Sequence, residues 1–395
     1  MKFIHIIFLF FLVMASCTQQ QQSSDIEQQI DQLIDQQIKD KRVDYCKISV
    51  SFNDGQPAIT GATVSKTTFD ALRTFAAENG CDFSVDLLPD DAFSENPWGI
   101  VTISVCNIRS NSRHSAELLT QAIMGTPVKV YRKEDGWYLI QTPDRYFGWV
   151  DGAGIATKSN SEMAEWKTLK KILYKNQYGF AYAEADAKSN IATDLVLDNL
   201  LSVVDETAGF YKTVLADGRE AFVKKDECMG LDNWYNKSVV AKDVLATAEK
   251  FMGVPYLWGG TSAKMVDCSG FVKSAYYNYG VILQRDASQQ TLYGELVDTQ
   301  NGYETLEAGD LVFFGRKATE DQRERVTHVG LCLVDQEFIH ASGKVRINSL
   351  NRDSEKYTEH YEKGFVRARR IIGNVDGDGI EWVVDNTFFK QVLPE

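Results

Sequence analysis

Over residues 100–156 the hydrophobic pattern becomes strict alternation in short runs: Val101–Val105, Pro127–Tyr131, Trp137–Ile140 and Tyr146–Val150. Alternation with a period of two places successive side chains on opposite faces of a strand, so each run has one face to bury. Strands this short, parted by turn residues, close into a small barrel more readily than they extend into a flat sheet. A weaker copy of the pattern follows over about Lys170 to Glu227, in Ala181-Tyr-Ala, Leu201–Val204, Phe210–Val214 and Glu220–Val223. It predicts a second, divergent barrel. The last unit, from about Ser238 to Ile372, changes order: helical spacing over Val239–Phe251 and again after Cys268, then strands at Asp310–Phe314, His328–Val334 and Phe338–His340. Helices first and an antiparallel sheet afterwards is an α+β order.

The reading is therefore multidomain, with small all-β barrels at 100–158 and 165–230 followed by an α+β domain at 238–373. A chain of 395 residues is long enough for several such units. With 44% hydrophobic and 25% charged residues it has the composition of a globular protein, and a net charge of −13 excludes nucleic acid as a partner.

The N-terminal residues predict export. Lys2, the apolar run Phe3–Val13 and the small residues of Met14-Ala15-Ser16-Cys17 form a segment too short to span a bilayer and suited to a secretory signal. Its end resembles the lipobox of bacterial lipoproteins, which implies that 1–17 is a lipoprotein signal and that Cys17 becomes the lipidated N-terminus, anchored to a membrane and facing the periplasm. Residues 18–42 read as a Gln-rich tether in which Ile26, Ile30, Leu33, Ile34 and Ile38 trace one amphipathic helix. Residues 43–99 are a mixed segment with helical spacing over Thr68–Asn79, a spacer or a wedge between domains. The acidic tail, 374–395, has no assignment. Of seven cysteines, the five other than Cys17 and Cys268 show no paired spacing, so reduced thiols are expected. No CxxC pair or histidine cluster has metal spacing; neither a metal nor a cofactor is implied.

Cys268 is the strongest chemical signal. It follows Tyr256-Leu-Trp-Gly-Gly-Thr and sits in Asp267-Cys-Ser-Gly-Phe271, directly before an apolar stripe of Phe271, Val272, Ala275, Tyr276 and Tyr279 that ends at Gly280. A cysteine at a helix start meets unpaired amides and the positive end of the dipole, which favour thiolate. A thiol nucleophile also needs a base and a group to orient that base. Of five histidines, only His328 and His340 combine the same unit with strand patterning. A two-residue turn near Asp335-Gln336 would place them on opposite faces, so a bulge or longer turn is required if both serve one site.

Pro255–Thr261, Asp267–Phe271, Gly309–Phe314, Thr327–Gly330 and Phe338–Ser342 resemble, in order, the blocks of the NlpC family of papain-like cell-wall cysteine peptidases. Likewise Asn107-Ile-Arg-Ser, Gly125, Val128-Lys-Val, Gly136-Trp137 and Gly148-Trp-Val150 resemble the bacterial SH3-like domain. The resemblance implies Cys268 as nucleophile, His328 as general base and His340 as its orienter. The Cys268 amide is a plausible oxyanion donor.

Two barrels before the peptidase are similar to a subgroup that cleaves the γ-D-glutamyl to diamino acid bond of free muropeptides beginning with L-alanine. In that subgroup the first barrel closes one end of the site. The resemblance assigns the reading of the substrate amine to Asp267, Ser269 and Tyr256, with Glu117 and Tyr146 reaching in from the first barrel. A buried ammonium needs such partners. Asp267 suits a helix N-cap equally well, and Glu117 and Tyr146 suit an ordinary barrel surface. Arg285 either holds a substrate carboxylate or pairs with Asp286, and Trp258 either walls the site or packs the core. The alternatives to recycling are a wall-splitting endopeptidase or amidase acting on polymeric peptidoglycan, and a non-catalytic cell-wall binding lipoprotein.

Overall fold

The computed structural model describes residues 25–53, 56–377 and 379–394. The signal segment, His5 and Cys17 lie outside the described residues. The chain divides after Ser94 into two compact units.

In the first unit a helix over residues 25–37 (α1) buries Ile26, Ile30 and Ile34, with Ile38 just beyond it, against Ile59, Leu72, Ala76 and Val85. The three-stranded sheet runs β1 (Cys46–Asn53), β2 (Gln56–Thr63), β3 (Asp82–Leu87), with β1 antiparallel and β3 parallel to β2. The crossover between β2 and β3 is α2 (Lys66–Glu78), whose N-cap Ser65 accepts from the Thr68 amide. Residues 26–38 of the expected tether thus contribute to this unit's core. A stripe of four isoleucines at helical spacing is worth roughly 1.5–3 kcal/mol each when buried, so the helix packs rather than swings free.

The second unit begins with β4 (Trp98–Val101), β5 (Val105–Arg109), β6 (Leu118–Ile123), β7 (Pro127–Glu134), β8 (Trp137–Gln141), β9 (Phe147–Asp151) and β10 (Ile155–Lys158). They form one sheet in the order β10-β4-β7-β8-β9-β5-β6. Val101 and Val105 fall on two strands rather than one, because the chain turns at 102–104. A capped helix, α3 (Asn160–Thr168), leads to β11 (Lys170–Tyr174), β12 (Tyr178–Tyr182), β13 (Ile191–Val196), β14 (Leu200–Glu206), β15 (Phe210–Val214), β16 (Glu220–Lys224) and β17 (Cys228–Met229). Their order, β17-β11-β14-β15-β16-β12-β13, repeats the first sheet strand for strand with each number raised by seven. The weaker sequence pattern therefore encodes the same topology.

The remainder opens with α4 (Asp232–Tyr235) and α5 (Ala241–Lys250), then a two-stranded ribbon, β18 (Thr261–Ser262) and β19 (Met265–Val266), and α6 (Cys268–Tyr277). After β20 (Val281–Leu283) and α7 (Ala287–Gln290) come β21 (Glu295–Val297), β22 (Leu311–Arg316), β23 (Arg325–Cys332), β24 (Glu337–Ser342), β25 (Lys344–Ser349), α8 (Glu359–Gly364) and β26 (Phe365–Arg370). The sheet order is β21-β26-β22-β23-β24-β25, antiparallel throughout. Phe271, Val272, Ala275 and Tyr276 of α6 are fully buried in one core with Phe313, Val329, Leu331 and Ile339 of the sheet, so the apolar stripe fixes which side of α6 faces β23.

The acidic tail is part of the fold. Its β27 (Ile380–Trp382) pairs antiparallel with β20, and Phe389, Val392 and Leu393 join Leu173, Leu200, Trp234 and Ile282 in a core between the second sheet and the last unit. The Asn386 side-chain amide donates to the Pro143 carbonyl at 3.1 Å, and Arg145 pairs with Glu381 at 2.6 Å. The tail therefore fastens the first sheet to the domain of Cys268.

Candidate active site

Cys268 is the first residue of α6, and Asp267 caps it. Asp267 Oδ1 accepts from the Gly270 amide at 2.7 Å, Ser269 Oγ at 3.1 Å and Arg285 Nη1 at 3.2 Å. Its Oδ2 accepts from the Gly259 amide at 3.0 Å and Arg285 Nη2 at 2.6 Å. A carboxylate offers about four lone-pair positions, so five internal donors leave none over for a substrate ammonium. Of its two readings, Asp267 takes that of N-cap. Ser269 is buried in the same network, donating to Asp267 and accepting from Arg285 at 3.0 Å.

Arg285 is a correction. It is 1% exposed, and its Nε donates to Thr120 Oγ1 of β6 at 2.8 Å while its two Nη atoms clasp Asp267. Burial alone would lower its pKa, but contact with Asp267 outweighs burial and holds it above the ordinary value. A buried guanidinium must be paired, and this one is committed to the protein rather than to a substrate carboxylate. Asp286 stands 4.0 Å away, at the limit of an ion pair. Tyr146, just before β9, is only 5% exposed and donates at 3.1 Å to Oδ2 of Asp286, the N-cap of α7.

Glu117, just before β6, meets Trp258 of the loop before Cys268. Its Oε1 accepts from Trp258 Nε1 at 2.9 Å, and both residues are exposed, Trp258 by 64%. Trp258 therefore does not pack the core. The approach depends on Gly259, at φ +82, where a Cβ would come within 2.4 Å of the Leu118 carbonyl. Tyr256 is half-buried, and burial, then the proximity of Cys268 and Asp267, raises its hydroxyl well above the ordinary range.

The hairpin of β23 and β24 satisfies the condition set by its sequence. Leu331 pairs with Ile339 and Cys332 with Phe338, and the Leu333 amide bonds the Glu337 carbonyl across a loop in which Asp335 and Gln336 are left-handed. One residue more than a two-residue turn puts both histidines on one face. Gly330 leaves the room, since a Cβ there would lie 3.2 Å from His340 Cβ and 2.8 Å from the Phe338 ring. His328 Nε2 and His340 Nδ1 are 2.7 Å apart, with Tyr361 stacked on His328.

A residue that the sequence reading missed determines which nitrogens carry protons. Asn348 of β25 gives its amide hydrogens to Thr358 Oγ1 at 2.9 Å and the Lys356 carbonyl at 3.2 Å, so its Oδ1 faces His340 Nε2 at 2.9 Å. The acceptor requires a proton on His340 Nε2. His340 Nδ1 then accepts from His328 Nε2, and His328 Nδ1 keeps a lone pair. The available signal was position: Asn348 stands opposite Phe338, two residues from His340, on the neighbouring strand.

Cys268 lies against β23, where the Val329 amide bonds its sulfur. Burial, and after it the charge of Asp267, pushes the thiol up to about 12, against the Val329 and Ser269 amides and Arg285. Burial lowers His328 to about 3, helped by His340, His360 and Arg346, and lowers His340 to about 4 against the hydrogen bond that it donates to Asn348. Desolvation thus outweighs the helix-start effect expected from sequence. Burial therefore holds both the Cys268 thiol and the His328 imidazole towards their neutral forms. Among the described residues no cluster of His, Cys, Asp or Glu could hold a metal.

Residues 253–369 match the NlpC/P60 family, and residues 108–155 match the bacterial dipeptidyl-peptidase Sh3 domain. A probable endopeptidase of Haemophilus influenzae is 30% identical over 155 residues, covering 38% of this chain and 88% of that protein. The chain belongs to the NlpC/P60 family. As an NlpC/P60 protein with an SH3-like domain before its peptidase domain, it is a cysteine hydrolase. A γ-D-glutamyl-L-lysine dipeptidyl-peptidase of Bacillus cereus is 28% identical over 272 residues, covering 65% of this chain and 76% of the relative. In fold, the crystal structure of an NlpC/P60 family protein from Bacillus cereus aligns with a TM-score of 0.58 at 23% identity, over 70% of this chain and 99% of that one.

Proposed function

We propose that the protein hydrolyses the γ-D-glutamyl to diamino acid bond of peptidoglycan stem peptides, acting on free muropeptides with an N-terminal L-alanine. The observation that carries this reading is the Glu117 carboxylate, brought by β6 to the exposed face of Trp258 in the loop before Cys268. An extended polymer needs an open cleft, whereas a carboxylate at its end suits a short peptide with a free ammonium. The name of the Bacillus cereus relative supports the same bond.

In this scheme Cys268 Sγ attacks the γ-carbonyl carbon while its proton passes to His328 Nδ1. Helix-start amides receive the oxyanion. The C–N bond breaks as His328 returns the proton to the leaving amine, and water then hydrolyses the thioester. His340 and Asn348 hold the tautomer.

Mass analysis after incubation with L-alanyl-γ-D-glutamyl-diaminopimelate and, separately, with purified sacculi tests the reading. It predicts L-alanyl-D-glutamate and free diamino acid from the peptide and no release from sacculi. Release from sacculi would favour the wall-splitting alternative.

We also propose that the protein is exported and held at a membrane, facing the periplasm, by a lipid on Cys17. Small residues directly before that cysteine support this. Cys17→Ser should abolish the acyl mass and move the protein to the soluble fraction; membrane retention without acylation would contradict the anchor.

A further inference from the structure

A cavity of about 390 Å³ adjoins His328 on the side of α8, and neither Glu117 nor Trp258 lines it. Its walls include Arg316, Arg325, Thr327, His328, Ser342 and His360, and no carboxylate. In a chain of net charge −13 such a lining runs against the background.

Arg316 and Arg325 are direct cross-strand partners on β22 and β23. Like charges set opposite one another cost stability. Neither has an acidic partner among the described residues; Arg316 donates only to the Arg323 carbonyl, at 3.3 Å. Neighbouring arginines do find carboxylates: Arg352 pairs with Glu362, Arg367 with Glu324 and Arg370 with Asp310. Arg346 adds a further cation at the rim, 3.5 Å from Ser342 Oγ. The connecting loop carries Glu320 and Asp321, and neither lines the cavity.

The group that protonates a leaving amine must touch the leaving residue. His328 forms part of this wall, so on the hydrolysis proposed above the cavity is where the released diamino acid would lie. We propose that Arg316 and Arg325 form an anion pocket for a carboxylate on the side chain of that residue, so that a diaminopimelate-type residue is preferred over lysine. This rests on the hydrolysis proposed above. A lysine side chain would bring a bare ammonium towards two guanidinium groups, whereas an amino-carboxylate end offers them a two-pronged partner.

The test is kcat/KM on L-alanyl-γ-D-glutamyl-meso-diaminopimelate and on its L-lysine counterpart, for the full chain and for R316Q, R325Q and the double variant. Both peptides carry the terminal α-carboxylate, so their ratio reads the side-chain carboxylate alone. The wild type should favour diaminopimelate by on the order of 10- to 100-fold, as charge-assisted contacts do, and the ratio should collapse towards one in the double variant. A wild type that cleaves the lysine peptide equally well or better would overturn the pocket while leaving the hydrolysis standing. So would a ratio that survives in the double variant, or a parallel loss on both peptides. Cleavage of neither peptide by the wild type would remove the hydrolysis and the pocket together.

Discussion

Arg285 and Asp267 meet through two hydrogen bonds, of 2.6 and 3.2 Å, at the start of the helix that carries Cys268. The same arginine bonds Thr120 of the first sheet, so one buried ion pair joins the barrel to the thiol. Removing one partner leaves the other charged and desolvated, which costs about 3–5 kcal/mol. Arg285→Met should lower the unfolding free energy by about that amount in a denaturant titration, and Arg285→Lys should rescue only part. An unchanged midpoint would mean that the pair does not fasten the site.

Asn348 and His340 offer a second test. Asn348→Ala frees the tautomer, and kcat should fall by roughly 10- to 100-fold with little change in KM, a part of the about 10²- to 10⁴-fold that general acid–base catalysis contributes, since His328 itself is kept. Asn348→Asp still accepts from His340 Nε2 and should retain most of the activity. Equal losses in both variants would argue that Asn348 is only structural.

Acid should destabilise the fold through the histidine pair. Burial holds His328 to about 3 and His340 to about 4, below the ordinary 6.5, so the unfolded chain binds more protons as pH falls through 6.5. Each histidine then costs up to about 1.4 kcal/mol per pH unit down to its folded value. Asp198, raised to about 7 by burial, works in the opposite sense and offsets about half. Between pH 7 and 5 the wild type should lose stability faster than His328→Gln/His340→Gln; parallel curves would contradict the shifts.

What was legible in the sequence is what local pattern encodes. The helix start at Cys268, the apolar stripe facing the sheet, the alternating strands and the need for a longer turn between His328 and His340 all follow from spacing. What was not legible depends on long-range contact. Arg285 reads as a charged loop residue until β6 covers it, and Asn348 has no local mark because its role comes from Thr358 and Lys356, ten and eight residues on. The tail reads as acidic because its buried Phe389, Val392 and Leu393 are spread among polar residues. The isoleucines of α1 read as a helix from spacing alone, but the buried partners that they pack against, Ile59, Leu72, Ala76 and Val85, lie more than twenty residues on in sequence.

Glu117 should govern substrate capture rather than chemistry. Glu117→Ala removes the carboxylate beside Trp258, and KM for the free-amine peptide should rise about tenfold or more, as expected for a lost charge-assisted contact, with kcat little changed. An unchanged KM would discard Glu117 as the reader of the amine.

The central claim joins a cysteine nucleophile to an end-recognised peptide. Its most direct measurement compares hydrolysis of free and N-acetylated L-alanyl-γ-D-glutamyl-diaminopimelate by the wild type and by Cys268→Ala. The account predicts cleavage of the free peptide alone, and by the wild type alone. Equal cleavage of the acetylated peptide, or full activity in Cys268→Ala, would contradict it.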